Sequence, residues 1–227
     1  MEHFDDLLDH EEGADVLMGS ARAPEPAGAR CAVRGFTLIE LVVTIALLGV
    51  LLTLSLPGFM TWIRNSQVRT AADALQGGLR TAQAEAIRRN RQVVMSFTNA
   101  TPALNATAVA GGKNWSLQSV AQFGESTTDS TRYIGGGAIG DVASGVSIVD
   151  HAGTGISAVC FNSNGRLVTN ATPGITGASC TAAATAFDIS QTRSDRPLRV
   201  TVAIGGQVRM CDPKRPTLSS TSPDGCP

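Results

Sequence analysis

From residue 36 to residue 56 the chain is one unbroken apolar run in which Glu40 is the only ionisable side chain. At about 1.5 Å per residue a helix of that length spans roughly 30 Å, the thickness of a bilayer's hydrocarbon core. The pattern predicts a membrane-spanning helix over 36–57. Pro57-Gly58 closes the run, and a proline that removes a backbone donor and crowds the preceding turn is expected to break or kink the helix there. Over 58–91 the period changes. Val68, Ala72, Leu75, Leu79, Ala82 and Ala86 recur at alternating spacings of 4 and 3, with Arg69, Arg80, Arg88 and Arg91 off that stripe. This predicts an amphipathic helix to about Asn90, in which Gly77 and Gly78 each cost roughly 1 kcal/mol relative to alanine. Over 92–227 the pattern shortens to that of strands. Segments 92–97, 114–120, 146–150, 156–161, 167–169, 184–189, 198–204 and 207–210 read as short strands, Asn162-Ser163-Asn164-Gly165 and Gly205-Gly206 as hairpin turns. The stretch 123–145, rich in Gly, Ser and Thr, reads mostly as loop. One long N-terminal helix followed by an antiparallel β domain makes this an α+β chain.

The 227 residues, 43% of them hydrophobic, leave room for one modest globular domain besides the apolar helix. Glu40 is the anomaly in that helix. A carboxylate at the bilayer centre costs about 2.5 kcal/mol or more, so it calls for a partner, and the run contains no lysine or arginine. An ordinary secretory signal has an apolar centre of only about 7–15 residues closed by a small-residue cleavage site, unlike this run. An uncleaved signal anchor fits the length and the flanking charge but leaves Glu40 unexplained.

Gly35-Phe36-Thr37-Leu38-Ile39-Glu40 and the apolar run behind it resemble the processing and assembly signal of type IV pilins and type II secretion pseudopilins. The resemblance implies that a prepilin peptidase cuts between Gly35 and Phe36, removing 1–35 as a leader, and that Phe36 becomes an N-methylated N-terminus. Glu40 is then the fifth mature residue, the family's acidic position, paired with the N-terminal amine of a neighbouring subunit. It also implies the pilin fold, a single pass through the inner membrane with a periplasmic C-terminal domain, and later transfer into a filament. The implied partners are the peptidase, the inner membrane, and other minor and major pilins or pseudopilins.

Residues 1–35 carry eight acidic side chains against Arg22, Arg30 and Arg34, and most of that acidity precedes Met18. A start at Met18 leaves three arginines and one glutamate, which suits the positive-inside rule better, so 1–17 is expected to be a mis-assigned start. Removing three basic and eight acidic residues from totals of 18 and 19 leaves 15 against 11, a mature chain of about +4.

With Cys31 in the leader, Cys160, Cys180, Cys211 and Cys226 remain, an even number that suggests oxidative pairing outside the cytoplasm. Three connectivities are open; Cys160 with Cys180 and Cys211 with Cys226 close the shortest loops, each contributing about 2–4 kcal/mol. Cys160-Phe161-Asn162-Ser163-Asn164-Gly165-Arg166-Leu167, together with Arg209-Met210-Cys211-Asp212-Pro213 and Cys226, resembles the FimT and FimU minor pilins, which belong with the GspH pseudopilins. Cys211-Asp212-Pro213 and the closing cysteine favour the pilus branch over secretion. Members of this group prime assembly or sit near the filament tip.

Enzymatic chemistry finds little support. His151 is the one histidine beyond the leader and no nucleophile motif accompanies it, so it reads as a surface residue. No Cys-x-x-Cys pair exists, and neither a metal site nor a cofactor is expected. Gly135-Gly136-Gly137-Ala138-Ile139-Gly140 lacks the lysine of a phosphate loop and reads as flexible loop, and Asn105-Ala106-Thr107 matches a glycosylation sequon of little weight. DNA is the remaining candidate partner. Some FimT-like proteins are linked to DNA uptake through a C-terminal Gly-Arg-x-Arg, of which Gly206-Gln207-Val208-Arg209 keeps the second arginine. Arg193, Arg196, Arg199, Arg209, Lys214 and Arg215 form a basic stretch, and Arg209, Lys214 and Arg215 are the candidate phosphate contacts.

Overall fold

A computed structural model describes residues 35–226; the expected leader before Gly35, the alternative start at Met18, and Cys31 lie outside them. The chain divides into units 1–46 and 47–227. Residues 35–37 precede helix α1 (Leu38–Arg88), which begins in the first unit and continues into the second and whose opening turn is capped by Thr37: its hydroxyl accepts the Glu40 N–H at 3.3 Å.

The expected break at Pro57-Gly58 does not occur. α1 continues through both residues to Arg88. A proline removes one helical bond and crowds one carbonyl, at a cost of about 3 kcal/mol, and a helix packed along its later turns can absorb that. It ends through Asn90, at φ +50°, which lets the Arg91 N–H reach the Ala86 carbonyl and the Asn90 N–H reach that of Ile87, both at 3.1 Å. This is the two-bond C-terminal cap that a left-handed residue permits.

The sheets form two four-stranded antiparallel layers. The first has the order β3-β2-β1-β5, with β1 (Val93–Thr98), β2 (Asn114–Ser119), β3 (Tyr133–Ala138) and β5 (Ala158–Phe161); the second has β4-β6-β7-β8, with β4 (Val146–Asp150), β6 (Thr185–Gln191), β7 (Leu198–Val202) and β8 (Val208–Cys211). Both present their inner faces to the α1 stripe. Val68, Ala71, Ala72, Leu75, Leu79, Ala82 and Ala86 are fully buried among Val93, Met95 and Phe97 of the first sheet and Phe187, Ile189, Val200 and Val202 of the second. Rings of Phe97 and Phe187 meet at 5.0 Å between the layers. The outer face of the first sheet is closed as well, by a smaller cluster of Val94, Ala108, Ala158, Cys160, Ile175, Ala178 and Cys180. That is why all six residues of β1 are buried.

Two of the expected elements differ. Residues 123–145 are not mostly loop: they hold β3 and a short helix α2 (Ile139–Val142), so the Gly135-Gly137 run is strand rather than flexible loop. The reason is Trp115. On β2 it lies across Gly137, whose added Cβ would sit 2.5 Å from the indole, and against Gly78 of α1, whose Cβ would sit 2.9 Å away. At Gly137 the strand gives up a side chain to its neighbour's ring, and at Gly136 it gives one up to Pro102. Segment 167–169 forms a bridge between Leu167 and Phe161 rather than a strand. The β2 to β3 connection is tied down by Arg91, which pairs with Glu125, and by the buried Arg132, which donates to the Ser119 carbonyl at 2.9 and 3.1 Å. The Arg91 guanidinium, helped by the Gln122 backbone N–H, holds the Glu125 carboxyl at about 2.

The adjacent glycines of α1 therefore have opposite roles. Gly77 is exposed with open space around it, so Gly77→Ala is expected to stabilise by about 0.5–1 kcal/mol. Gly78→Ala pushes a methyl into a ring held between two backbones and is expected to destabilise by about 1–3 kcal/mol. Thermal unfolding of the mature chain checks both, with melting shifts of opposite sign; equal shifts would remove the packing explanation.

Candidate assembly site

From Phe36 to Leu56 the large apolar side chains of α1 are between 46% and 81% exposed. A surface this long and continuous on a single helix exceeds what water-facing proteins carry. Its hydroxyls are internally satisfied: Thr44, Thr53 and Ser55 donate to the Leu41, Val50 and Leu52 carbonyls at 2.8, 2.8 and 3.0 Å. That leaves Glu40 as the polar group needing a partner. Its backbone is capped by Thr37, but among the described residues its carboxylate forms no ion pair. It lies in the first turn, where the helix dipole favours a negative charge by about 0.3–1 kcal/mol, less than burial in an apolar setting costs. Gly35 and Phe36 lie outside the helix and are exposed, and a Cβ at Gly35 would meet nothing within 4 Å. The bond between them is thus exposed backbone next to a helix start.

At the other end of the chain the structure joins Cys160 to Cys180 and Cys211 to Cys226. The first bridge ties β5 to the segment leading into β6; the second ties the end of β8 to the C-terminal tail. The basic stretch comes together only in part: Arg196 and Arg215 line one groove, while Arg199 and Arg209 lie elsewhere. Arg199 is bound to Asp188 at 2.6 Å. Burial works against the Asp188 charge, yet the Arg199 guanidinium and His151 outweigh it and lower its pKa. Arg215 lies 3.3 Å from Asp224, and the Lys214 ammonium donates to the Asp195 carbonyl at 2.7 Å. Arg209, exposed on β8, lines a groove of about 680 Å³ with His151 and Thr201, while Arg215 lines another of about 1060 Å³ with Trp62 and Asp195. Arg209 and Arg215 therefore face different grooves, and Lys214 and Arg215 are engaged within the subunit.

His151 is half-exposed, and its Nδ1 lies 2.9 Å from the Asp188 carboxylate. Asn105 has a structural use: its side-chain amide donates to the Thr127 carbonyl and its oxygen accepts from Gln118, both at 2.9 Å.

One junction was not visible in the sequence pattern. Gln83 of α1 donates to the Gly165 carbonyl at 2.9 Å, and Gly206 packs so closely that an added Cβ would be 1.9 Å from that same oxygen. Gly165 and Gly206 sit at φ +72° and +89°. The hairpin tip after β5 and the β7 to β8 tip are thus clamped together on one helix side chain, and the Leu167 N–H completes the joint by donating to the Ile204 carbonyl at 3.0 Å. The only signals were two glycine turns, read separately.

Comparison with known proteins matches residues 30–56 to the prokaryotic N-terminal methylation motif. Two fimbrial proteins of Pseudomonas aeruginosa are each 34% identical over 65 residues, 29% of this chain and 42% of theirs, so the chain matches less than half the length of these curated relatives. Among solved structures, the type IV minor pilin FimU of Pseudomonas aeruginosa is 18% identical with a TM-score of 0.42, covering 70% of this chain and 99% of that one. The minor pseudopilin EpsH of the Vibrio cholerae type 2 secretion system is 12% identical with a TM-score of 0.43, covering 66% and 99%. Residues 71–206, more than half of the sequence and running from the last third of α1 through β7, match the family described as type II transport protein GspH, and the chain belongs to that family.

Proposed function

We propose that this protein is a minor subunit of a type IV pilus that takes part in priming assembly or in the tip complex. It is anchored in the inner membrane by 36–56, with its β domain on the periplasmic side, until it enters the filament. The observation that carries the proposal is the exposed apolar half of α1 with Glu40 as its single ionisable group. Such a surface needs an apolar environment at every stage: lipid first, then the helices of neighbouring pilins, with a neighbour's N-terminal amine beside Glu40. The prepilin peptidase is the partner that the Gly35-Phe36 bond implies. The fimbrial relatives and the Cys211 to Cys226 closure support the pilus over the pseudopilus. The GspH family match supports the second reading, a minor pseudopilin of a type II secretion system. The arrangement of Arg209, Lys214 and Arg215 gives DNA contact no advantage over subunit packing.

Deletion of the gene, with complementation, tests the two. The pilus reading expects loss of surface pili with exoprotein secretion intact. Retention of exoproteins in the periplasm with normal piliation would replace it by the pseudopilus reading.

A further inference from the structure

The turns of α1 just beyond the apolar run carry an aromatic pair that the fold leaves uncovered. Phe59 and Trp62 are 55% and 65% exposed, and their rings stack at 5.9 Å with 23° between planes. At 100° per residue Phe59 points opposite the buried Val68, away from the β domain; Trp62, about 120° from Val68, borders the groove it shares with Asp195 and Arg215 and still leaves most of its ring exposed. We propose that this pair is a membrane-interface anchor: it binds the outer head-group layer of the bilayer and so fixes how far α1 rises out of the lipid.

The occupant follows from position and continuity. The exposed face is a direct extension of the apolar surface that ends at Leu56. By helical rise Phe59 lies about 4.5 Å and Trp62 about 9 Å beyond that residue. Helical side chains lean back over the preceding turn, which brings the Trp62 ring down by about one turn toward the lipid. A head-group layer is about 5–7 Å thick on each side of the hydrocarbon, so both rings fall within it. Tryptophan favours this layer because an apolar ring and an N–H donor are both satisfied there. Arg64, two residues on, supplies a cation at phosphate level. The inference rests on the reading of 36–56 as a membrane span.

The test uses the mature full-length chain in phosphatidylethanolamine and phosphatidylglycerol vesicles, plain or brominated at either the upper or the lower acyl carbons. Trp62→Phe isolates the Trp62 emission from that of Trp115. Co-flotation with vesicles reads the span separately from the anchor. Flotation with Trp62 emission quenched roughly twofold or more, and more strongly by shallow than by deep bromines, is the expected result. Flotation with Trp62 emission equal in plain and brominated vesicles overturns the anchor alone. Failure to float overturns the span and the anchor with it. Cross-linking of an unquenched Trp62 position to another pilin would assign the pair to subunit packing, and also overturns the inference.

Discussion

Replacing Gly35 by valine is expected to leave the chain at its precursor mass. The bond after Gly35 sits in exposed backbone ahead of the capped first turn, and a Cβ at Gly35 would meet nothing within 4 Å. Cleavage is therefore limited by the peptidase's own pocket, and an enzyme fitted to a hydrogen at this position meets an added isopropyl group as a steric block. Even one methylene against a close-fitting pocket is worth roughly 10–200-fold, so the processed fraction should fall at least tenfold. Intact-mass analysis of membrane fractions reads this directly. The wild-type chain should begin at Phe36 with one added methyl group, the variant at its original start. A Gly35→Val chain processed at the wild-type level would rule out prepilin cleavage at this bond.

The second large effect is expected at Glu40, and magnitudes separate its two roles. If the carboxylate only steadies the helix start, Glu40→Ala loses about 0.3–1 kcal/mol, because the Thr37 cap remains, and incorporation falls less than about fivefold. If it pairs with a neighbour's amine inside the filament, the substitution strands that amine in apolar surroundings at about 3–5 kcal/mol, and incorporation should fall at least a hundredfold. The variant should still be cleaved and inserted, since Gly35, Phe36 and the apolar run are untouched. Quantifying the subunit in sheared filaments against its level in membranes gives the ratio. Near-normal incorporation of Glu40→Ala would confine the carboxylate to the local role.

What the sequence revealed depended on how far apart the deciding residues stood. The stripe from Val68 to Ala86 is periodic within one helix, and each residue named from it is fully buried. Gly35, Phe36 and Glu40 are legible for a similar reason, lying within six consecutive positions. Strand β3 was missed because Gly137 reflects the bulk of the Trp115 ring and Gly136 the closeness of Pro102, distant residues that a local scan of composition cannot register. Formal charge at the C-terminal end does not reveal pairing: Arg199 is matched to Asp188 across β6 and β7, and Arg215 to Asp224 across the tail loop, pairings made by the fold. The helix through Pro57 shows the reverse case, where a strong local signal was overruled by the continuity of the helix on either side.

The clamp of Gln83, Gly165 and Gly206 bears on how subunits of this kind are told apart. Gly165 belongs to the same short stretch, from Cys160 to Leu167, by which the chain resembles the FimT and FimU group. In the structure that stretch closes the seam where one β layer meets the other. It is joinery, and a filament or a secretion pump that needed the same two layers would cut it the same way. Likeness confined to those residues therefore records how the domain is held shut and is silent on its employment. Discrimination between the two machines has to come from surfaces that face other subunits.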